Sequence, residues 1–572
     1  MKKIKHNMES IAMIIFFSGI VILLFWKCNY GYATLDEAFY PTITYRFMQG
    51  DAILYEEWSN TQLTGFLLLP VLMLYQAING GMDGIYLYIR YVYTIFKILI
   101  AVFLFLRLKR FGKREAYTTS IVFLVFAAHG LMALSYNTFA IGGALVALLL
   151  LLDNKESKTS MFCAGLAGVA FAVSVMGIPY MMILYGVYLA IVIISPFWKR
   201  KICFNEYTAH LFSWKTFWCM TFGGGIACAG LMTYIFSRVS LKNVIDTIPH
   251  ILYGDPAHSQ KSVYHKTLAY FVRILIGNHH NYWIFCGYIL LMAILLAYLL
   301  DKKRRQNIKN YKLGAVLGSW ILLVLYVVTD NYINSIIFIP NVLAFMFIIF
   351  SFRQDERVRS LFYCIWIPGM LVSYCEYLAS NTGFSGLSAA SCVATTASII
   401  IICFEMEKTN IKIGGYEKVV ASFLIAIFIL LVYYRITYVF WEDGGIQSLK
   451  ATIEQGTAKG LYVTENTKKL YDQMYEDTET IRKTSEDTIV LYQADNTLWM
   501  SGRQRCGSYS PLNYSLSADP TILYNYYEEH PDKIADVMYI SDGYQNLADA
   551  FAVMYDYSVE KKKIGTLLWR VK

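Results

Sequence analysis

Fourteen apolar runs, each of about 17–25 residues, follow one another before position 440, and none follows it. A helix rises 1.5 Å per residue, so about 20 such residues cross the roughly 30 Å hydrocarbon layer of a bilayer. Inside lipid every backbone N–H and C=O must be satisfied within the chain, which leaves a helical bundle as the form for runs of this length. The sequence therefore predicts an α-helical polytopic membrane protein over 1–440 and a soluble domain over 441–572. Composition agrees: 56% of the 572 residues are hydrophobic and 16% charged, against about 45–50% and about 25% in soluble domains.

The runs lie near 9–28, 62–79, 84–107, 116–134, 136–152, 159–177, 179–197, 215–237, 281–300, 312–329, 332–351, 358–378, 385–404 and 416–440. Basic residues choose the count. Arg107, Lys109, Arg110, Lys113 and Arg114 form one basic loop, Lys199, Arg200 and Lys201 a second, Lys302, Lys303, Arg304 and Arg305 a third, and Arg353, Arg357 and Arg359 a fourth. Cytoplasmic loops carry such excess. With fourteen crossings all four fall outside; with about thirteen all four fall inside. The run 62–79, with Gly65, Pro70, Gln76 and Asn79, is the one expected to lie flat on the outer face. Lys2, Lys3 and Lys5 precede the first run, which reads as an uncleaved anchor with a cytoplasmic N-terminus. The first outer loop (29–83), the second long outer loop (238–280) and the C-terminal domain then share the outside of a plasma membrane.

The net charge of +9 belongs to those short loops, and no basic-aromatic motif points to nucleic acid. Ten of eleven cysteines lie before position 440 and none makes a CxxC or zinc spacing. The C-terminal domain reads as small α/β, with strands near 460–464, 488–493, 537–541 and 566–571 and helices near 466–483 and 520–529, a partly parallel sheet without a phosphate loop of nucleotide-binding type.

The first outer loop carries Asp36 and Glu37 about ten residues beyond the first run, then an amphipathic stretch to Gly50-Asp51, the flat run 62–79, and Arg90 early in the next span, which closes on Arg107-Leu-Lys-Arg-Phe-Gly112. In this order the chain resembles the GT-C membrane glycosyltransferases, in the branch of the protein mannosyltransferases and the lipid A aminoarabinose transferase. That resemblance implies transfer of a sugar from a polyprenyl-phosphate donor to a cell-envelope glycan, lipid or protein at the outer face. It gives Asp36 the catalytic place. A carboxylate within reach of the acceptor hydroxyl takes its proton as the bond forms, inverting the anomeric carbon; Glu37 is expected to orient the acceptor or a helix end. One departure stands out: the family often has an acid at the start of the fourth span, where this sequence has Asn137. Asn137 can hydrogen-bond a sugar but cannot act as a carboxylate.

For the donor phosphate the candidates are Arg90, an intramembrane cation near the outer end of its span that suits either a lipid phosphate or the carboxylates of the first loop, and the second outer loop, with Lys261, His265, Arg273, His279 and His280. Five of the nine histidines lie in that loop. No HxxxH or HExxH spacing occurs, so a divalent metal is the lesser reading and the sequence marks no certain cofactor. Asp330, Glu376 and Arg435 read as helix-end charges. The competing functions are a transporter or flippase of a lipid-linked precursor, which calls for broken, polar helices in mid-membrane, and a non-catalytic assembly partner.

Overall fold

The computed structural model describes residues 2–34, 36–152, 158–198, 211–253, 262–277, 281–330, 333–352, 355–408, 415–440, 445–493, 496–511 and 520–571. The membrane part contains α1 (Lys2–Lys27), α2 (Phe39–Met48), α3 (Gln62–Asn79), α4 (Ile85–Leu108), α5 (Lys113–Val125), α6 (Tyr136–Leu151), α7 (Lys158–Gly177), α8 (Met182–Trp198), α9 (Trp214–Phe236), α10 (Leu241–Tyr253), α11 (Val263–Ile276), α12 (Tyr282–Leu300), α13 (Arg304–Thr329), α14 (Ile333–Ser351), α15 (Glu356–Leu361), α16 (Ile367–Ala379), α17 (Phe384–Ala390), α18 (Cys392–Lys408) and α19 (Tyr416–Thr437).

Among the described residues eleven helices are long and apolar enough to cross a membrane, or twelve if the bent pair α17–α18 is one span. The expected thirteen is not reproduced one for one. The run 62–79 is among the eleven. The run 116–134 is not: its helix α5 stops at Val125, because Phe126 turns to extended backbone and leads 127–135 across the bundle. The helix α6 has 16 residues and is a shorter apolar helix. The most enclosed span is α14, whose apolar window is 83% buried; it packs against α18 and α13. Close helix approach is bought by small residues at α7 and α9, where a Cβ on Gly168 or Gly223 would strike the facing backbone.

The C-terminal domain follows the predicted order. A two-stranded ribbon, β1 (Ala451–Thr452) with β2 (Tyr462–Val463), leads into α20 (Glu465–Asp477) and α21 (Glu479–Arg482). A five-stranded sheet of order β4-β3-β5-β7-β6 follows, built from β3 (Ile489–Gln493), β4 (Arg505–Cys506), β5 (Val537–Ser541), β6 (Tyr557–Lys561) and β7 (Gly565–Arg570). Strand β3 runs parallel to β4 and β5; β7 runs antiparallel to β5 and β6. Helices α22 (Thr521–Glu529) and α23 (Gln545–Met554) cover it. The sequence reading lacked α23, β1, β4 and β6.

This domain is fastened to the first outer loop. Backbone bonds run from Gly31 N to Tyr462 O (2.8 Å), from Tyr462 N to Asn29 O (2.7 Å), from Gly84 N to Gly456 O (3.0 Å) and from Trp58 N to Tyr509 O (2.9 Å). The centre of the joint is Arg46, which is 0% exposed. Its Nε donates to Asp51 (2.6 Å), Nη1 to Glu57 (2.9 Å) and Nη2 to the Tyr526 hydroxyl (2.8 Å). Lys533 reaches back from the domain to Asp51 (2.6 Å) and Glu56 (2.8 Å). On the rim, His250 of the second outer loop stacks on Trp58 at 4.4 Å and meets Glu529 at 2.7 Å.

Removing one partner from a buried ion pair costs about 3–5 kcal/mol. Lys533→Met is therefore expected to lower the melting temperature and to expose the 440–450 connection to protease. Burial alone would raise the Asp51 carboxyl, but Arg46 and Lys533 outweigh it and hold it below the ordinary 3.8. A depressed carboxyl adds stability that is present above its unfolded pKa and lost as pH falls through the folded one. The contribution of Asp51 to the joint should thus persist to below about pH 4, and Lys533→Met should move its loss to higher pH, read by proteolysis across a pH series.

Candidate active site

The chain leaves α1 at Lys27 and enters α2 at Phe39 through a short outer loop, and the two carboxylates of that loop have opposite surroundings. Glu37 is buried and paired. Arg90, projecting from α4, donates to Glu37 Oε2 through Nη2 and, at 3.2 Å, through Nε. Its Nη1 donates to the carbonyls of Cys28 (3.0 Å) and Tyr30 (3.1 Å). Glu37 Oε1 accepts from Met132 N (3.2 Å) in the loop between α5 and α6. The pair thus ties together α1, α4 and the 127–135 loop. Of the two contacts expected of Arg90, the one formed here is to a carboxylate of the first loop: Arg90 is 4% exposed and turned to Glu37, and Glu37 fixes the loop.

Asp36 is only partly buried, and among the described residues no hydrogen bond or ion pair holds its carboxylate. Burial first, and then the neighbouring Glu37, raise its pKa above the ordinary 3.8. Two tyrosines stand beside it. Tyr40 of α2 and Tyr136 at the start of α6 have ring centroids 6.4 Å apart, and both feel the charge of Asp36 and of Glu376. Glu376, near the outer end of α16, is fully buried. With its amide turned so that nitrogen faces the carboxylate, Asn137 donates to Glu376 Oε1 (2.8 Å) and Oε2 (2.6 Å). Gly386 of α17 closes this corner; a Cβ there would lie 3.3 Å from Glu376 Oε1 and closer still to Thr382.

Glu376 is accordingly no helix-end charge. The signal was in the sequence: it is the sole acid of the run 358–378, and an acid inside a span marks function more often than decoration. Tyr40 and Tyr136 carried no such signal, because nothing local distinguishes them from the other aromatic residues of a chain holding 46 tyrosines.

Of the basic candidates of the second outer loop, His265 and Arg273 are among the described residues. Lys261, His279 and His280 lie outside the described residues. His265 is exposed, and its Nδ1 sits 2.7 Å from the Ser262 hydroxyl that caps α11. Arg273 bonds the Tyr377 hydroxyl, and Lys266 donates to Leu378 O (2.8 Å). Both bonds fasten α11 to α16 and so brace Glu376 from outside. Among the described residues no three His, Cys, Asp or Glu side chains are grouped to hold a metal ion.

The 127–135 loop is anchored below by a polar ladder. His129, at φ 58°, receives Asn334 and Ser385 at its Nδ1 within 3.3 Å, and its N–H donates to Asn334 Oδ1 (2.9 Å). Deeper in, Asn341 joins Thr395 (3.0 Å) and Ser398 (2.8 Å) beside the 56° bend between α17 and α18.

No family model matches the chain, and no curated protein matches it in sequence. Among solved structures it is similar to ArnT from Cupriavidus metallidurans bound to undecaprenyl phosphate, at 13% identity over 98% of each chain and a TM-score of 0.41. The apo state of the same protein gives 11% identity and a TM-score of 0.38. The Archaeoglobus fulgidus oligosaccharyltransferase in its apo form gives 10% identity over 97% of this chain and 74% of that one, at a TM-score of 0.46. Likeness at this level assigns no residue and no reaction, and the functional reading rests on the chain's own geometry.

Proposed function

We propose that this chain is a membrane glycosyltransferase that moves a sugar from a polyprenyl-phosphate donor to a cell-envelope acceptor at the outer face. The observation that carries the reading is Asp36: an unpaired, partly buried carboxylate with a raised pKa, on a loop clamped in place by Glu37–Arg90. A raised pKa brings a carboxylate nearer the range in which it serves as a general base. In the proposed step the acceptor oxygen attacks the anomeric carbon from the face opposite the phosphate. The C–O bond to phosphate breaks as the new bond forms, the lipid phosphate leaves with the electron pair, and Asp36 takes the acceptor proton. The anomeric carbon inverts. Glu376, held by Asn137, supplies the second carboxylate from a different span and holds a hydroxyl of sugar or acceptor between Tyr40 and Tyr136.

The 56° bend and its polar ladder favour the second reading, a flippase. Against it, Asn334, Asn341, Ser385, Ser391, Thr395 and Ser398 bond one another, which makes the ladder a packed seam. Purified protein given a radiolabelled polyprenyl-phosphate sugar separates the two: release of polyprenyl phosphate supports transfer, and movement across a vesicle without chemical change supports a flippase.

Asp36→Asn is expected to lower kcat by about 10²–10⁴-fold, the contribution of a positioned base, with an unchanged melting temperature because no bond is lost. Since only the ionised carboxylate accepts the proton, wild-type kcat/KM should fall toward acid with an apparent pKa above the ordinary carboxyl value of about 3.9. Near-normal turnover in Asp36→Asn would remove this assignment.

Glu376→Gln keeps a hydrogen bond to Asn137 while removing the carboxyl group. A buried hydrogen-bonding group left unsatisfied costs about 1–3 kcal/mol, so kcat/KM should fall by roughly five- to a hundredfold. Asn137→Asp introduced together with Glu376→Gln moves the carboxylate across the contact and should recover part of the loss. Equal activity in all three proteins would show that Glu376 only packs.

A further inference from the structure

Arg435, two residues before the end of α19, is 5% exposed, and its Nε is buried without a partner. No carboxylate among the described residues pairs with it. The groups within its electrostatic range are Lys27 and Cys28 at the end of α1 and Tyr93 and Lys97 on α4. Glu37, the acid that acts on the neighbouring Lys27 and Cys28, is already bound to Arg90. The two lysines have local accommodation: Lys27 donates to Ile436 O at 3.0 Å, and Lys97 lies 3.6 Å from the centre of the Phe123 ring. A lysine can also lose its proton on burial. An arginine cannot. A permanently charged guanidinium at this depth therefore calls for an anion that the described residues do not supply.

The depth of the site says what kind of anion. Trp26, Tyr433 and Tyr438 flank it and are exposed, as aromatic residues are at the level of lipid headgroups. The helices that frame it, α1 and α19, bury little of their surface within the protein and so face lipid. An anion arriving here comes along the bilayer.

We infer that Arg435, with Lys27 and Lys97 beside it, forms a binding site for a lipid-borne phosphate at the outer end of the α1–α4–α19 seam. The planar fork of arginine suits two phosphate oxygens at once, and the lysines add charge without fixed geometry. The phosphate belongs either to a polyprenyl phosphate or to an anionic phospholipid of the surrounding bilayer. The site does not depend on the transferase reading, because it is defined by binding and not by turnover.

Full-length protein in nanodiscs of zwitterionic lipid, titrated with undecaprenyl phosphate and read by native mass spectrometry, tests it. Wild type should bind undecaprenyl phosphate at least about tenfold more tightly than neutral undecaprenol, and Arg435→Gln should lose that difference while Arg435→Lys keeps part of it. Displacement by excess phosphatidylglycerol assigns the site to bilayer phospholipid; resistance to displacement assigns it to polyprenyl phosphate; both outcomes support it. Equal binding of the phosphate and the alcohol by wild type overturns the inference without recourse to any variant, as does full retention of the difference in a folded Arg435→Gln protein. Loss of turnover in Asp36→Asn leaves this binding unchanged, so the two readings fail separately.

Discussion

The guanidinium of Arg46 sits where two carboxylates and a hydroxyl converge, sealed from solvent, and it fixes how the C-terminal domain meets the first loop. A buried charge with a full set of partners is a demanding arrangement: it is stable only when every partner is in place. Asp51 and Glu57 come from the outer loop, Tyr526 and Lys533 from the C-terminal domain. Because the joint is satisfied only when both are docked, it fixes how the domain sits on the loop. The loop in turn presents Asp36, and α2 presents Tyr40. The segment Gly50-Asp51, which looked like part of a reaction motif, is the hinge of an assembly instead.

A second charge pair sets the inner boundary of the site. Glu37 is adjacent in sequence to Asp36, the proposed base, and with Arg90 it holds the backbone of three segments. Asp36 is left as the carboxylate of this loop with no internal partner. Adjacent acids have been sorted by their surroundings: one neutralised by a cation, the other kept partly desolvated. The same sorting recurs among the cations, where Arg90 is matched and Arg435 is not.

Much of this was legible in the residues. Apolar runs marked the helices to within a few residues, since length and hydropathy decide a span almost alone. The C-terminal strands and helices appeared in the predicted order, because alternation and turn residues are local. Asp36 stood out by position. What failed was non-local. The end of α5 at Val125 depends on where the 127–135 loop must go, which no window of sequence contains. The partner of Arg90 is 53 positions away, and that of Asn137 lies on another span, so neither contact has a spacing to read. Arg435 and Glu376 resembled interface charges until the fold showed them enclosed.

The brevity of α5 and α6 has an effect on lipid. Their 13 and 16 residues amount to about 20 and 24 Å of helix, several ångströms less than the hydrocarbon layer. In the proposed orientation the segment joining them, with Tyr136 and Asn137 at its end, is drawn inward from the outer surface of the bilayer. Pulling an acyl or prenyl chain into water costs about 0.8 kcal/mol for each methylene exposed. For the proposed transferase, a site set at that level would let a headgroup meet protein side chains while its tail stays in oil, with the bilayer as the second wall of the site.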